Sequence, residues 1–199
     1  MNRMSWDRLL TEIRSVHENT TALQTFCPFP DDIRQQQVLP HHIPSSDLMQ
    51  ADPALESTRY RACCQALIDC ADQAHWRETY KGTDIGEDFL NRFGCYGIIG
   101  PNAPFHSDRM RAWVVYMPAR LWYPWHHHPA EEMYLTLAGT ARFLVRGHPD
   151  QTMIEGTLST HMSDQPHATE TTGSPFLAYV VWRNQFEIAP VLTPAEKLE

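Results

Sequence analysis

Three consecutive histidines followed by a glutamate and a tyrosine are the most informative chemical feature of the sequence. His126, His127 and His128 precede Glu132 and Tyr134. In an extended chain, side chains two residues apart point the same way, so His126 and His128 share a face and His127 lies on the other. Glu132 and Tyr134 alternate with apolar residues in the same manner. We therefore expect one face of this segment to carry chemistry and the opposite face to pack in a core.

Two imidazoles and a carboxylate on one face predict a metal site. Neutral imidazole and carboxylate groups bind divalent cations such as zinc, iron(II), manganese or nickel. His126, His128 and Glu132 would supply three ligands. His167, in the segment QPHA, is the preferred fourth ligand because a downstream segment can return as a neighbouring strand, and His161 is the second choice. The alternative is a polar run at the start of a strand that binds no ion.

The elements that must position these residues differ between the two halves of the chain. Apolar residues at helical spacing predict an amphipathic helix over 6–16 and another over 57–80. Residues 27–53 between them contain five prolines, which break regular elements. This stretch is expected to be an ordered loop.

After Gly94 the pattern changes to short apolar or alternating segments separated by turn residues, which is typical of antiparallel strands. The two segments that flank Gly139 are expected to pair as a β-hairpin. Strands are predicted over 96–99, 111–117, 132–137, 140–145, 153–155 and 176–182.

These elements divide the chain into a helical part and a β part. Two or three helices bury little apolar surface by themselves. We therefore expect residues 1–95 to form a helical region packed on a β unit, residues 96–199, that carries the predicted metal site.

Composition and charge limit the class of protein. The chain has 199 residues, 42% of them hydrophobic, which is typical of a globular protein with a sizeable core. It carries 16 Lys and Arg against 24 Asp and Glu, a net charge of -8, so it lacks the basic surface that nucleic acids require. The first 20 residues contain no apolar run suited to a signal peptide or membrane span, and the five cysteines are not spaced as a disulfide framework. We expect a cytoplasmic protein without nucleic-acid or membrane partners.

The spacing H-x-H-x3-E-x6-G, which ends at Gly139, matches the first sequence motif of the cupins. The run YPWHHHPAEEMYLTLAG over 123–139, together with QPHA at 165–168, resembles the cupin-type dimethylsulfoniopropionate (DMSP) lyases. Arg120 replaces the usual glycine at the start of the motif, and Thr171 stands where cupins commonly have Asn. The resemblance implies a mainly β fold: a cupin double-stranded β-helix, or jelly-roll barrel, with an N-terminal α-helical region.

The resemblance also implies roles for individual residues. The two motif histidines, the glutamate and the later histidine would bind the metal; these are His126, His128, Glu132 and His167. Tyr134 would be the catalytic base, and Tyr123 a second catalytic residue.

The reaction implied is cleavage of DMSP to dimethyl sulfide and acrylate, begun by removal of a proton from the carbon beside the carboxylate. A metal ion would stabilise the charge that develops there. A phenol, with a reference pKa of about 10, becomes usable as the base when a nearby cation favours the phenolate. Aromatic faces would hold the sulfonium group by cation–π attraction. The candidates are Trp113, Tyr116, Trp122, Trp125, Phe143, Tyr179 and Trp182.

Three other functions agree with the same residues. A lyase-like cupin could act on another small carboxylate, since one barrel supports many reactions. An iron(II) cupin dioxygenase would use the same ligands, and a regulatory cupin would bind metal without turnover. The expected partner is a small-molecule substrate, and the amphipathic front helices are compatible with a homodimer.

Overall fold

The computed structural model describes residues 3–197, and its first part is helical. The predicted helix over 6–16 is confirmed as α1, whereas the helix predicted over 57–80 is shorter and is followed by a single turn of 3-10 helix at Ala71–Gln73. The α-helices of these residues are α1 (Arg3–Glu18), α2 (Thr21–Phe26), α3 (Pro44–Ala51), α4 (Arg61–Asp69) and α5 (Glu87–Arg92).

The segment over 27–53 contains a helix that the proline count did not predict. Pro44 occupies the first turn of α3, where its missing N–H is no loss because the first four amides of a helix have no partner within it. The prediction of a loop was therefore wrong for Pro44–Ala51. A second short helix, Glu87–Arg92, was also not predicted.

The helix α1 buries one stripe, formed by Trp6, Leu9, Ile13 and His17. Its apolar members Trp6, Leu9 and Ile13 belong to a buried cluster that also includes Tyr179 of the β part. The helices and the barrel thus share one apolar core.

The strands form two sheets. Their bounds are β1 (Arg34–Gln35), β2 (Gly94–Ile99), β3 (Phe105–His106), β4 (Arg111–Met117), β5 (Trp122–His127), β6 (Glu131–Gly139), β7 (Ala141–Val145), β8 (Gln151–Met153), β9 (Leu158–His161), β10 (His167–Glu170), β11 (Phe176–Arg183) and β12 (Val191–Leu192). The seven-stranded sheet has the order β1-β3-β2-β4-β11-β6-β9, and the five-stranded sheet has the order β12-β5-β10-β7-β8.

The seven-stranded sheet lies between the helices and the five-stranded sheet. In β4, Val114 and Tyr116 belong to the cluster shared with the helices, whereas Val115 belongs to a second cluster with Tyr123 and Phe143 of the other sheet. Strands covered on both faces have nearly continuous apolar sequences. This explains why every residue of Arg111–Met117 is buried.

The hairpin predicted around Gly139 is wrong. The strand β6 pairs with β11 and β9, while β7 pairs with β10 and β8, so the chain crosses from one sheet to the other at this point. Gly139 has a φ of +75°, and a Cβ there would lie 1.8 Å from the carbonyl oxygen of Pro175. Glycine is required because the turn needs both a positive φ and room for a neighbouring backbone.

The topology is the cupin double-stranded β-helix with an N-terminal helical region, as the sequence predicted. Two mainly antiparallel sheets face each other, and from β4 to β12 the chain changes sheets at every step except that from β7 to β8. None of the helices within residues 3–197 combines the length and apolarity needed to cross a bilayer.

Candidate metal centre

Strand pairing brings the chemical residues together from both sheets. His167 on β10 lies opposite His126 on β5 in the five-stranded sheet. In the other sheet, Glu132 on β6 lies between His161 on β9 and Trp182 on β11. The two sets meet in the barrel interior, where these side chains are buried.

Three of the four predicted ligands converge. One ligand atom from each of His128, Glu132 and His167 lies within 4.8 Å of the other two. The Oε2 atom of Glu132 is 3.4 Å from Nε2 of His128 and 3.3 Å from Nε2 of His167. A group of this composition is a candidate site for a divalent metal ion.

The hydrogen bonds of the two histidines leave their inner nitrogens free for a metal. The Nδ1–H of His128 donates to the carbonyl of Ala130, and that of His167 donates to the carbonyl of Gln165, each over 2.9 Å. Since a carbonyl only accepts, the proton is on Nδ1, and in a neutral ring Nε2 carries a lone pair. Both Nε2 atoms are buried without a hydrogen-bond partner. A cation between them and the carboxylate would satisfy all three groups.

The charges of the site also favour a bound cation. Burial raises the pKa of Glu132, but the facing histidines outweigh it and hold that pKa well below its usual range. Burial lowers the pKa of His128, yet the Glu132 carboxylate raises it overall. Without a cation, therefore, the carboxylate attracts a proton to His128. Metal and proton compete for this site.

Glu132 is held in place by two further donors. Its Oε1 accepts a hydrogen bond from the indole Nε1 of Trp182 over 2.6 Å, and its Oε2 accepts one from Nδ1 of His161 over 2.7 Å. His161 in turn accepts a hydrogen bond from the hydroxyl of Ser159 at Nε2. His161, the second choice for fourth ligand, thus contacts Glu132 and does not belong to the three-residue group.

His126 lies beside the group. Its Nδ1–H donates to the carbonyl of Pro124 over 2.8 Å, and its ring stacks on Tyr123 at a centroid distance of 3.9 Å. Its centroid is 4.0 Å from that of His167, but its ligand nitrogen is not within the compact group. Burial lowers its pKa well below the usual range, so the ring is neutral. His127 is on the opposite face, hydrogen-bonded to Thr193.

The two predicted catalytic tyrosines line the same inner cavity as His128 and Glu132. Tyr134 is buried, and its hydroxyl has no hydrogen-bond partner among the residues that the structure describes. Burial and then the charge of Glu132 raise the pKa of Tyr134 well above its usual value. The hydroxyl of Tyr123 is hydrogen-bonded to that of Tyr80 over 3.0 Å.

Arg77 lines the cavity, and Tyr80 is hydrogen-bonded to the hydroxyl of Tyr123 on the cavity wall; the sequence singled out neither. Both come from the segment between α4 and α5, and Tyr80 adopts a φ of +69°, which is rare for a residue with a side chain. No local motif marks them, because their contacts with the barrel depend on the path that this segment takes in the folded protein. Of the seven aromatic candidates for the sulfonium group, Trp113 and Trp182 line the cavity.

A double-stranded β-helix with a buried group of two histidines and a glutamate defines a cupin with a candidate metal-binding site. A family model for dimethylsulfoniopropionate lyase matches residues 15–178. The chain therefore belongs to the dimethylsulfoniopropionate lyase family.

Individual relatives agree with this assignment. Dimethylsulfoniopropionate lyase DddQ of Ruegeria pomeroyi is 47% identical over 192 residues, which is 96% of either chain. A crystal structure of DMSP lyase DddQ from Ruegeria pomeroyi has a TM-score of 0.94 at 46% identity, covering 96% of this chain and 98% of that chain. A chain from the crystal structures of the DMSP lyases RdDddP and RnDddQII has a TM-score of 0.93 at 32% identity, covering 98% and 100%.

Proposed function

We propose that this protein cleaves DMSP to dimethyl sulfide and acrylate with the help of a divalent transition metal. The observation that carries the proposal is the position of Tyr134, whose free hydroxyl shares a cavity with His128 and Glu132. The 47% identity to a DMSP lyase over nearly the whole chain supports the choice of substrate.

The reaction is a β-elimination. A base takes the proton on the carbon beside the carboxylate, the electron pair of that C–H bond forms the new C=C bond, and the C–S bond breaks. Dimethyl sulfide leaves with the electrons of the C–S bond as a neutral molecule, and acrylate keeps the carboxylate. The difficult step is removal of a weakly acidic proton, so the protein must supply a strong base and stabilise negative charge.

His128, Glu132 and His167 would hold the metal, and His126, which the sequence also predicted as a ligand, would complete the set. Zinc, iron(II), manganese and nickel all suit this set of nitrogen and oxygen donors. A cation bound here would stabilise charge on the substrate carboxylate and favour a phenolate nearby. The orphaned Nε2 atoms of His128 and His167 support this assignment, since a buried polar atom without a partner is costly.

Tyr134 is the proposed base. Burial keeps its hydroxyl protonated in the metal-free protein, because a buried phenolate beside the Glu132 carboxylate is strongly disfavoured. A cation held by His128, Glu132 and His167 would reverse this preference, and Tyr134 would then serve as a base. Its lack of a hydrogen-bond partner leaves the oxygen free to face a substrate.

Tyr123 is proposed as a second catalytic residue. Its hydroxyl is paired with that of Tyr80, and its ring is stacked on His126, so it is held rigidly at the cavity wall. The rings of Phe93 and Trp182 also line the cavity and would face the sulfonium group.

Substrate turnover by the metal-loaded protein tests the proposal. The protein and its Tyr134→Phe variant are incubated with DMSP, and headspace dimethyl sulfide and dissolved acrylate are measured. We expect equal amounts of both products from the parent and at least about 100-fold less from the variant, as for loss of a general base. The His127→Ala variant is the control, since His127 lies on the opposite face.

Two outcomes would contradict the proposal. Metal binding without either product from the parent favours another carboxylate substrate or a regulatory cupin. Turnover that requires dioxygen and survives Tyr134→Phe favours an iron(II) dioxygenase.

Three wider expectations also belong to this proposal. All five cysteines are buried free thiols, which supports a cytoplasmic setting, where thiols stay reduced. The hydrogen bond from the Tyr179 hydroxyl to Nδ1 of His17 supports a helical region, residues 1–95, that folds together with the barrel of residues 96–199. Sedimentation velocity would test the predicted homodimer.

A further inference from the structure

A second cavity lies outside the one that holds the candidate metal centre. It has a volume of about 310 Å³ and is lined by residues that include His75, Asn102 and Phe186. Arg77, Trp113 and Trp182 line both cavities and therefore form the wall that the two share. A molecule that moves directly from this outer cavity to the inner one, which holds the candidate metal centre, would contact these three side chains.

Arg77 places a positive charge in this wall. Its guanidinium lies over the ring of Trp113, 4.4 Å from the centroid, and faces the Cys95 thiol. The ion pairs within residues 3–197 leave Arg77 without a carboxylate partner. Arg111, beside the outer cavity, differs in this respect because it is bound to Glu187 over 2.5 Å. The charge of Arg77 is thus available to an anion from outside the protein.

Trp113 adds an unpaired hydrogen-bond donor to the same wall. Its side chain is buried, and its indole Nε1 has no hydrogen-bond partner among residues 3–197. Gly97 lies opposite on β2, where a Cβ would come within 3.3 Å of the Trp113 ring. An unpaired buried N–H is costly unless something supplies an acceptor. A guanidinium and an indole N–H together fit an acceptor that carries negative charge.

We propose that Arg77 and Trp113 form a second binding site, between the two cavities, for the carboxylate of substrate and product. The identity of the substrate rests on the function proposed above. Because the guanidinium attracts the carboxylate and repels the sulfonium, DMSP enters the inner cavity with its carboxylate leading. Acrylate meets the same site as it leaves. Glu187 does not oppose this, since Arg111 neutralises it.

Binding of propionate, a saturated carboxylate without a sulfonium group, tests the site directly. Calorimetry on the metal-loaded protein should give two propionate ions per chain, one at the metal and one at Arg77. In Arg77→Gln the second ion should bind about tenfold more weakly, which corresponds to about 1.4 kcal/mol. Arg77→Lys should restore part of this affinity, because it keeps the charge but loses the planar fork.

Arg59→Gln is the matched control. Arg59 also lies over an aromatic ring, that of Tyr60, and the variant removes the same charge from a residue that lines neither cavity. Its propionate binding should equal that of the parent. Trp113→Phe keeps a ring but removes the N–H, and it should weaken the second ion about threefold.

Kinetics give an independent measurement. With DMSP, Arg77→Gln should raise KM about tenfold and leave kcat within about twofold, because the carboxylate is captured before the chemical step. Raising the salt concentration should weaken the second propionate ion in the parent more than in Arg77→Gln.

A single propionate ion per chain in the parent, or equal affinities in the parent and Arg77→Gln, would overturn the proposal. A fall in kcat with unchanged KM would also overturn it, since that is the result expected of a purely structural arginine. Absence of DMSP turnover in the parent contradicts the proposed function alone, and the propionate measurements still decide the role of Arg77.

Discussion

Replacing His161 by phenylalanine should weaken metal binding even though His161 is not in the three-residue group. The side chain is fully buried and donates from Nδ1 to Oε2 of Glu132, the oxygen that faces His128 and His167. Phenylalanine keeps the ring volume but removes the donor. The carboxylate then loses the contact that orients it toward the ion.

The size of the effect follows from the hydrogen bonds of Glu132. The carboxylate has two protein donors, Trp182 at Oε1 and His161 at Oε2, and the variant removes one. A hydrogen bond to a charged group contributes about 1.5 to 3 kcal/mol. Since about 1.4 kcal/mol is a factor of ten in an equilibrium constant, the metal Kd should rise about 10- to 100-fold.

The assay is a competition for zinc between the protein and a chelator of known affinity at pH 7.5. His127→Ala is the control, because His127 is hydrogen-bonded to Thr193 on the opposite face, and its Kd should equal that of the parent. Circular dichroism should show that His161→Phe remains folded.

An unchanged Kd in a folded His161→Phe variant would refute the reasoning. It would mean that Glu132 either is not a ligand or is oriented sufficiently by Trp182. A complete loss of zinc from Trp182→Phe, with none from His161→Phe, would favour the second explanation.

Two further predictions concern stability. Burial lowers the pKa of His161 to about 4, below the unfolded value of 6.5, so the unfolded chain binds the extra proton first as pH falls. The free energy of unfolding of the metal-free protein should therefore fall by about 3 kcal/mol from this group between pH 6.5 and pH 4. Urea titrations should show a smaller fall in His161→Phe, and parallel pH profiles would contradict the assignment. Gly139→Ala should destabilise by at least about 2 kcal/mol, because its Cβ collides with the Pro175 carbonyl at a positive φ. Thermal unfolding measures this, and an unchanged Tm would show that the turn can rearrange.

The fold was predicted well wherever local periodicity decides it. The apolar stripe of α1 and the strand over 111–117 agree with the structure, and so does the cupin barrel itself. The helix predicted over 57–80 was too long, because its apolar residues after Asp69 are buried in a 3-10 turn and a loop. Periodicity identifies which residues are buried better than it identifies the element that buries them.

The partners of the site residues could not be predicted in the same way. His161 and His167 are both buried histidines on short strands, and only strand pairing places one against Glu132 and the other against His126. Arg77 reaches the cavity, and Tyr80 reaches the hydroxyl of Tyr123, from a segment that the sequence assigned to a helix. Such contacts depend on residues far apart in the chain, so no local pattern contains them.

The sequence alone determined on which face of a strand each residue lies. The alternation that separates His128 from His127, and Glu132 from Met133, is a property of extended backbone and needs no knowledge of neighbours. What the tertiary structure decided is which strands meet: at Gly139 the chain changes sheets where a hairpin was expected. The physical reason is that side-chain direction follows from local geometry, whereas sheet pairing follows from which apolar faces can be buried together across the whole chain.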